Sequence, residues 1–393
     1  MRIGFDVSQT GQDKSGCGYF ADSLIQALAA RDDANHYILY PYFGNCFWDP
    51  DGAKTTRNLP DRPNVSRILT GRTFRQSLGF WEQLPANGEA MIGRPDLVHA
   101  NNFSCPRNLS RARLVYTLYD LSFLIYPEFT FEQTRWNCFR GVFDASCHAD
   151  FIVAISDYSR NSFLEVFPHY PADRIRVVPL GSRFSSRTGQ NPGWVVADLE
   201  RDRFWLTVGT LEPRKNLRRL LRAYGALARQ HQGMLPLVLA GGKGWLEDDL
   251  EAFIDALGLR EHVRIPGYVS DEQLIWLYRN CFAFLYPSHF EGFGLPVLEA
   301  LSLGAAVMTS KTTSLPEVAG DAACYVDPSK EEEMIVAMSR LMSDEAYRRE
   351  RKRLSASQAA KFSWNRCASE VIDIYEEVAK RPKLDLMASL HRR

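Results

Sequence analysis

Short runs of apolar, often β-branched residues alternate along the chain with stretches whose apolar positions recur at helical spacing. In the first half, these runs predict strands at 3–7, 37–42, 97–100, 114–118, 151–155 and 176–178. In the second half, they predict strands at 204–208, 237–240, 263–265, 283–286, 305–309 and 324–326. Strands that alternate with helices form βαβ units and parallel sheets, so the pattern predicts an α/β protein.

The number of predicted strands exceeds what one open, doubly wound sheet usually holds, and 393 residues exceed the usual size of one domain. We therefore predict two Rossmann-like domains. The segment 181–198 is rich in Ser, Gly and Arg and lacks periodicity, which is typical of a linker. This division gives a first domain over 1–185 and a second over 200–363. A helix predicted over 364–380 is assigned to the first domain.

The composition is that of an ordinary globular protein with a sizeable core, at 45% hydrophobic and 24% charged residues. The formal net charge is zero, without the overall basic excess that nucleic-acid binding usually requires. The eight cysteines are scattered and form no CxxC pair. The start, MRIGFDV, resembles a strand rather than a targeting segment, and no apolar run approaches the ~18 residues of a membrane span. These features predict free thiols and a cytoplasmic protein, and they leave open a peripheral contact with a membrane.

The segment 291–299, EGFGLPVLE, joins the predicted strand 283–286 to a helix that we expect to begin near Leu295. Its two glycines let backbone N–H groups approach a phosphate, and the dipole of the following helix favours the negative charge. Pro296 suits the first turn of a helix, where its missing N–H costs nothing. In an open α/β sheet, ligands bind at the carboxyl ends of strands, so the segment predicts a phosphate site.

Two acids flank this predicted site. Glu291 lies in the loop, and Glu299 lies about one turn into the helix. A carboxylate beside a phosphate is repelled unless it has another partner, and sugar hydroxyls are such a partner. Glu299 is placed to accept hydrogen bonds from the hydroxyls of a ribose. The alternative for Glu299 is an acid that merely complements the helix dipole. For the whole segment this alternative requires two glycines, a proline and two spaced acids to coincide by chance.

EGFGLPVLEA and the following LSLGAAVMTSKTTSLPEVAGDAACYVDP resemble the acidic motif region of the family 4 glycosyltransferases. The resemblance covers nearly the whole chain and is densest over 204–328. It implies the GT-B fold, in which two Rossmann-like domains face each other across a cleft. It also implies that Glu291 contacts hydroxyls of the donor sugar and that Glu299 binds the ribose. The residues implied to hold the sugar and diphosphate and to start the helix are Gly292, Phe293, Gly294 and Leu295.

VGTLEPRKNL, at 208–217, resembles the diphosphate-binding loop of the same family. Lys215 matches the lysine of that loop, and Arg214 precedes it. An ammonium and a guanidinium can neutralise the leaving diphosphate as the glycosidic bond breaks. The family often has an arginine after the glycine, where this chain has Thr210, so Arg214 is the candidate for the missing charge. The alternative for this pair of cations is solvation of a helix start.

Two further segments of the second half match donor-binding regions of the family. LAGGKGW, at 239–245, follows a strand and offers Gly241 and Gly242 to a ligand. GYVSDEQL, at 267–274, matches the region that abuts the nucleobase, where Tyr268 or Val269 is the candidate contact. Either of these two side chains could equally serve packing.

The first half carries weaker signals. The loop after the first predicted strand ends in SGCGY and contains Gly16 and Gly18, where the family has a glycine-rich loop that closes over the diphosphate. A plain turn is the alternative. DLVHANNFSCP places His99, Asn101 and Asn102 after a strand, where they could line the acceptor side. A lone histidine in such a position is more often structural.

TLYDLSF, at 117–123, departs from the family pattern. Related enzymes commonly carry His-Asp here, and the histidine touches the donor sugar. This chain has Tyr119 before Asp120. A tyrosine can donate a hydrogen bond to a hydroxyl or phosphate but stays uncharged near neutral pH. Tyr119 is therefore assigned to the acceptor side, and Asp120 is a candidate for positioning the acceptor or accepting its proton.

Arginines alternate with large apolar residues over the stretch 57–81. The residues are Arg57, Arg62, Arg67, Arg72 and Arg75, with Leu69, Phe74, Leu78, Phe80 and Trp81. Such a stretch could meet an anionic lipid or a lipid-diphosphate acceptor. We favour the alternative, a solvated loop followed by a core-facing helix.

Together, these features predict a retaining glycosyltransferase that moves a sugar from a nucleotide-diphosphate sugar to a glycan or lipid-linked glycan in bacterial polysaccharide synthesis. GTLEPRKNL resembles bacterial mannosyl- and rhamnosyltransferases, so GDP-mannose is the first choice of donor, with UDP-sugars and dTDP-rhamnose open. No DxD-like acidic pair stands out, so we expect neither a metal nor another cofactor. One alternative is an epimerase, synthase or phosphorylase of similar fold. Another is a catalytically silent sugar-nucleotide or glycan-binding protein, for which Tyr119 and Thr210 are the only support.

Overall fold

The computed structural model describes residues 1–11, 14, 16–41, 59–68, 79–184, 199–231, 233–242, 244 and 249–386. They form two compact units: Met1–Gly181 with Trp364–Arg393, and Ser182–Ser363. The cysteines within the described ranges are free thiols. No helix in these ranges combines the length and the apolar character needed to cross a bilayer.

The described residues of each unit form one parallel sheet. The first sheet contains β1 (Arg2–Asp6), β2 (His36–Tyr40), β3 (Val65–Arg67), β4 (Leu97–Ala100), β5 (Arg113–Leu118), β6 (Phe151–Ala154) and β7 (Ile175–Val177). The second contains β8 (Trp205–Val208), β9 (Leu237–Ala240), β10 (Val263–Gly267), β11 (Ala283–Tyr286), β12 (Val307–Ser310) and β13 (Ala323–Val326). Their orders are β3-β2-β1-β4-β5-β6-β7 and β10-β9-β8-β11-β12-β13.

Helices connect these strands in both units. In chain order they are α1 (Gly16–Arg31), α2 (Gly88–Met91), α3 (Ser122–Ile125), α4 (Glu132–His148), α5 (Asp157–Val166), α6 (Leu217–Gln230), α7 (Leu250–Ala256), α8 (Asp271–Asn280), α9 (Leu295–Ser302), α10 (Leu315–Ala319), α11 (Glu331–Ser343), α12 (Glu345–Ala359) and α13 (Trp364–Lys380). In each sheet the strand order reverses once, between β1 and β4 and between β8 and β11. Such a reversal leaves a crevice at the carboxyl ends of the two strands, where open α/β sheets bind ligands.

The prediction of two Rossmann-like parallel sheets is confirmed, and each predicted strand coincides with an observed strand to within about two residues at either end. The sequence missed β3. This strand has three residues, pairs only with β2 and is half-buried to exposed. A short edge strand with a serine at its centre has no apolar run to mark it.

The predicted end of the first domain at residue 185 is wrong. Ser182–Phe184 belongs to the second unit, because its side chains bind partners there. The Ser182 hydroxyl lies 2.8 Å from that of Ser302, and the Arg183 guanidinium pairs with two carboxylates of the second unit. The remainder of the predicted linker, 185–198, lies outside the described residues.

Helix α13 packs against α1 in the first unit and buries an apolar stripe that includes Val371, Ile374 and Tyr375. The helical periodicity predicts the helix, and its contacts assign it to the first unit.

The stretch 57–81 divides between core and surface. Phe80 and Trp81 are buried in the hydrophobic core of the first unit, whereas Arg62 and Arg67 are exposed. The side chains that fall outside the described residues are Arg57, Leu69, Arg72, Phe74, Arg75 and Leu78.

Candidate functional site

The loops that follow β8 and β11 are bound to each other at the reversal point of the second sheet. β8 and β11 pair in parallel, so their carboxyl ends lie at the same edge. The loop after β8 ends in a 3₁₀ turn, Pro213–Lys215, and Asn216 then takes a left-handed conformation with φ of 61° before α6. The Asn216 amide donates to the Pro287 carbonyl at 3.0 Å, and the His289 N–H donates to the Arg214 carbonyl at 2.9 Å. These bonds fix the two loops against one another.

The Glu291 carboxylate lies at the centre of this junction and is only 6% exposed. Its Oε1 accepts hydrogen bonds from the Lys215 ammonium at 2.7 Å and from the hydroxyls of Tyr286 and Ser288, each at 2.8 Å. Its Oε2 accepts from the Arg214 guanidinium at 2.7 Å. The donors saturate Oε1, whereas Oε2 retains acceptor capacity.

The charges of this cluster balance one another. Burial alone would raise the pKa of Glu291, but the attraction of Arg214 and Lys215 and their hydrogen bonds outweigh it and lower the pKa to about 2. Burial lowers the pKa of Lys215, and the like charge of Arg214 lowers it further, against the attraction of Glu291 and Glu212. Glu212 is buried and also accepts a hydrogen bond from Arg214. The cluster therefore joins two cations to two carboxylates.

The glycine at the start of α9 is required by its backbone. Gly294 has φ of +105°, and a Cβ on it would lie 2.8 Å from Cδ2 of Leu315. The loop after β12 also holds Glu291, because the Ser314 hydroxyl donates to the Glu291 carbonyl at 2.8 Å and Oγ1 of Thr313 accepts from its N–H at 3.3 Å. The backbone of the predicted phosphate loop is thus set by contacts from two neighbouring loops.

Glu299 is a buried, paired carboxylate on α9. It is 4% exposed, and its Oε1 accepts from Nε of Arg183 at 2.6 Å. The Tyr278 hydroxyl donates to its Oε2 at 3.3 Å. Burial raises the pKa of Glu299, and the neighbouring Arg183 offsets part of that rise. A surface acid that only complements the helix dipole would not have these partners.

The other residues predicted to bind the donor lie at the carboxyl ends of strands in the second sheet. Thr210 is exposed after β8, and Tyr268 is 64% exposed after β10, with Val269 half-buried beside it. Gly241 is required after β9, because a Cβ there would lie 2.0 Å from the backbone carbonyl oxygen of Gly209. Gly242 is half-buried.

Within α9 and its loop, Gly292 and Phe293 are buried and Leu295 is half-buried at the first helical position. The Phe293 ring packs edge-to-face against Phe362, with ring centroids 5.9 Å apart. The Phe293 ring is therefore used in packing within the protein.

The glycine pair in the first unit lies in a helix, not in a loop. α1 begins at Gly16, so the prediction that the loop extends to Tyr19 is wrong. Gly18 is buried in the first turn, where a Cβ would lie 2.2 Å from the carbonyl oxygen of Gln9. The missing side chain of Gly18 permits this close approach of the helix to the chain that follows β1.

The structure contradicts the assignment of His99 to the acceptor side. The ring is fully buried, with Nδ1 2.6 Å from the Tyr375 hydroxyl and Nε2 2.8 Å from the Thr117 hydroxyl. Burial lowers the pKa of His99 to about 3, so the ring is neutral at physiological pH. Both nitrogens are used inside the protein, and His99 is a structural residue.

Asn101 and Tyr119 are likewise committed to the interior, which corrects their assignment to the acceptor side. The Asn101 amide donates to the Asp6 carbonyl at 3.1 Å, and its oxygen accepts from Thr117 at 2.8 Å. The Tyr119 hydroxyl donates to the Asn101 carbonyl at 2.7 Å. Asp120 is half-buried, and its Oδ1 accepts from the N–H of Ser122 at the start of α3.

Several residues of these clusters were not identified from the sequence. They include Arg183, Glu212, Tyr286 and Ser288. Tyr286 closes an apolar strand and Ser288 lies in a loop, so neither carries a charge or a glycine pattern that marks a site. Glu212 could have been predicted, because it lies within VGTLEPRKNL, two residues before Arg214.

Two family descriptions match this sequence. "Glycosyltransferase Family 4" matches residues 14–182, and "Glycosyl transferases group 1" matches residues 195–361. Together they span most of both units.

Individual proteins are similar over all or part of this chain. The O-antigen chain mannosyltransferase B of Escherichia coli is 36% identical over 96% of this chain and 100% of its own length. The serotype-specific mannosyltransferase WbdA of Escherichia coli is 34% identical over 60% of this chain and 30% of its own length. A crystal structure of HepE from Anabaena, in complex with UDP and glucose, superimposes with a TM-score of 0.72 at 18% identity, covering 96% of this chain and 100% of HepE. That similarity establishes a shared fold.

Proposed function

Since this chain belongs to the family 4 glycosyltransferases, we propose that it transfers mannose from GDP-mannose, with retention of the anomeric configuration, to a glycan or lipid-linked glycan acceptor. The resemblance found in the sequence is thereby confirmed, as are the GT-B fold and the hexosyltransferase class. The name of its full-length relative, an O-antigen chain mannosyltransferase, supports a role in polysaccharide synthesis.

The choice of mannose is supported by the full-length relative, which is named a mannosyltransferase and shares 36% of its residues with this chain. The choice of GDP rests on the resemblance of GTLEPRKNL to bacterial mannosyltransferases. The fold alone does not select the base, because HepE shares this fold and was crystallised with UDP.

The observation that carries the proposal is the cluster of Glu291, Lys215 and Arg214 at the reversal point of the second sheet. Two cations and a glycine-bearing helix start can neutralise the charge that develops on a leaving diphosphate. An ionised carboxylate with acceptor capacity on Oε2 can accept a hydroxyl of the sugar bound beside those phosphates. This is the combination of groups that a nucleotide-diphosphate sugar requires.

The proposed reaction takes place on one face of the sugar. The bond between the anomeric carbon and the diphosphate oxygen breaks, and its electron pair stays with the diphosphate. That oxygen takes the proton of the acceptor hydroxyl, and the acceptor oxygen forms a new bond to the anomeric carbon from the same side. Lys215 and Arg214 stabilise the charge on the departing diphosphate.

The proposal includes no metal ion, because Lys215 and Arg214 supply the positive charge. In the described ranges, no group of three or more His, Cys, Asp and Glu side chains is placed to hold an ion. Transfer should therefore persist in a chelator such as EDTA.

A lipid-linked acceptor would bring the enzyme into peripheral contact with a membrane. Transfer to an acceptor embedded in vesicles tests that contact.

A thermal-shift screen against GDP, UDP and dTDP, alone and with their sugars attached, tests the donor assignment. A ligand that binds only the folded state raises the melting temperature, so GDP and GDP-mannose should give the largest shifts. Release of GDP should then require a glycan acceptor. A larger shift with UDP or dTDP would overturn the choice of base, and tight binding without turnover on any glycan would favour a silent binding protein.

A further inference from the structure

Arg183 joins two carboxylates of the second unit. Its Nε donates to Oε1 of Glu299 at 2.6 Å, and its NH1 group donates to Oδ1 of Asp271 at 2.8 Å. The guanidinium carbon also lies 4.5 Å from the centre of the Phe184 ring. The side chain is 16% exposed, so the Glu299 contact is largely shielded from water. A planar guanidinium bound on two sides and packed on a ring has a fixed orientation.

Glu299 depends on this cation for its charge. Burial favours the neutral acid, and within the described part of the chain the negative Asp271 and the Tyr278 hydroxyl also act on this carboxyl. Asp271 acts in the same direction as burial, because like charges repel. Arg183 is thus the positively charged group that opposes both effects at this carboxyl.

The two protein donors leave both carboxylate oxygens able to accept further bonds. Arg183 binds Oε1 and Tyr278 binds Oε2, and each carboxylate oxygen has about two lone-pair positions. The remaining positions suit two neighbouring hydroxyls, as on a ribose. A protonated carboxyl would convert one oxygen into a donor and lose this match.

We propose that Arg183 is a positioning residue for the nucleotide donor, which keeps Glu299 ionised and turned so that both oxygens can accept ribose hydroxyls. This inference rests on the proposed function, since it takes Glu299 as the ribose site. Arg183 itself acts through Glu299, and Asp271 acts through Arg183 by fixing its second nitrogen.

The test compares Arg183→Gln, Arg183→Lys and a matched control, Arg260→Gln. Arg260 is an exposed arginine that binds Asp255 through two nitrogens, each at 2.6 Å. Calorimetry would give the Kd of GDP and of its 2′-deoxy analogue from about pH 6 to about pH 8. If another base gives the largest thermal shift, that nucleoside diphosphate and its deoxy analogue are used.

In the wild type and in Arg260→Gln, the Kd of GDP should have the same dependence on pH, and the deoxy analogue should bind about tenfold more weakly. In Arg183→Gln, the Kd should rise more steeply as the pH falls, by up to about a further tenfold for each pH unit below the pKa that Glu299 has in that variant. The penalty for the deoxy analogue should also disappear at low pH, because the ribose contact is already lost. Arg183→Lys retains the charge and should restore the pH dependence of the wild type.

Two outcomes would overturn the inference. One is an Arg183→Gln variant whose Kd has the pH dependence and deoxy penalty of the wild type. The other, which holds even if Arg183→Gln does not fold, is a folded Arg183→Lys variant whose GDP affinity falls more steeply than that of the wild type as the pH falls. If the wild type binds no nucleoside diphosphate at all, the proposed function fails together with this inference. If the wild type binds the nucleoside diphosphate and Arg183→Gln shows the same pH dependence and the same deoxy penalty, only the role of Arg183 is rejected.

Discussion

The Lys215 ammonium lies 2.7 Å from Oε1 of Glu291, and both side chains are less than a tenth exposed. The Tyr286 hydroxyl links the pair, since it accepts from Lys215 at 2.6 Å and donates to Glu291 at 2.8 Å. The cation that we propose for the diphosphate is therefore held in place by the protein itself. Such preorganisation lowers the cost of reorienting charge when the glycosidic bond breaks.

Replacing Glu291 by Gln should separate catalysis from product binding. Turnover should fall about 10²–10³-fold, because the ionised acceptor proposed for the sugar is lost. The Kd of GDP should stay unchanged or decrease, since Lys215 and Arg214 are no longer neutralised by this carboxylate. Acceptor-dependent release of GDP and calorimetry measure the two effects. The control is Glu261→Gln, which changes an exposed glutamate. Wild-type turnover in Glu291→Gln would reject the site assignment.

Replacing Lys215 by Met should weaken the binding of GDP by about 10- to 100-fold, the usual worth of a charge-assisted hydrogen bond. Guanosine lacks phosphates and should bind both proteins equally. Calorimetry with the two ligands measures the difference, and Lys330→Met, at an exposed lysine, is the control. An unchanged GDP affinity in Lys215→Met would count against a phosphate role for this lysine.

Glu291 should also make the free energy of unfolding depend on pH under acidic conditions. Its folded pKa of about 2 lies below the ordinary 4.5, so the unfolded chain binds this proton first as the pH falls. The stabilisation is fully present above about pH 4.5 and is lost as the pH falls from there towards about 2. The gap in melting temperature between the wild type and Glu291→Gln should therefore narrow in that window. A gap that stays constant from neutral pH to about pH 3 would contradict the lowered pKa.

The sequence predicts the fold well because the central strands of a parallel sheet are buried on both faces. Strands such as Leu97–Ala100 and Leu237–Ala240 are therefore short apolar runs with sharp ends. The same burial explains the error at His99. A strand that is buried throughout has no polar face, so its sequence does not show whether a polar residue faces a ligand or a partner in the core.

The residues of the candidate site were likewise predicted only in part from the sequence. Glu291, Lys215 and Gly294 were found because charged residues, their spacing and glycines can be recognised within a short stretch of sequence. Tyr286 and Arg183 were not found, because the role of each depends on a partner distant in sequence, which for Tyr286 is Lys215, 71 residues away. Arg183 is 116 residues from Glu299, and its neighbours have the composition of a linker.

His99 provides a test of the structural role that the sequence did not assign to it. His99→Phe removes the partner of the buried Tyr375 hydroxyl and one of the two partners of the Thr117 hydroxyl, which keeps its bond to Asn101. The first unit should lose about 1–3 kcal/mol of stability, mainly because the Tyr375 hydroxyl is left without a bond, and Tyr375→Phe should cost about 1 kcal/mol. GDP affinity and turnover per folded molecule should remain near the wild type.

The pH dependence supplies a second readout for His99. Its folded pKa of about 3 lies below the ordinary 6.5, so the unfolded chain gains this proton first as the pH falls below about 6.5. The stability advantage of the wild type over His99→Phe should therefore shrink between about pH 6.5 and about pH 4, as denaturant titration at several pH values would measure. A variant with unchanged stability but a tenfold higher KM for the acceptor would instead restore His99 to the acceptor side.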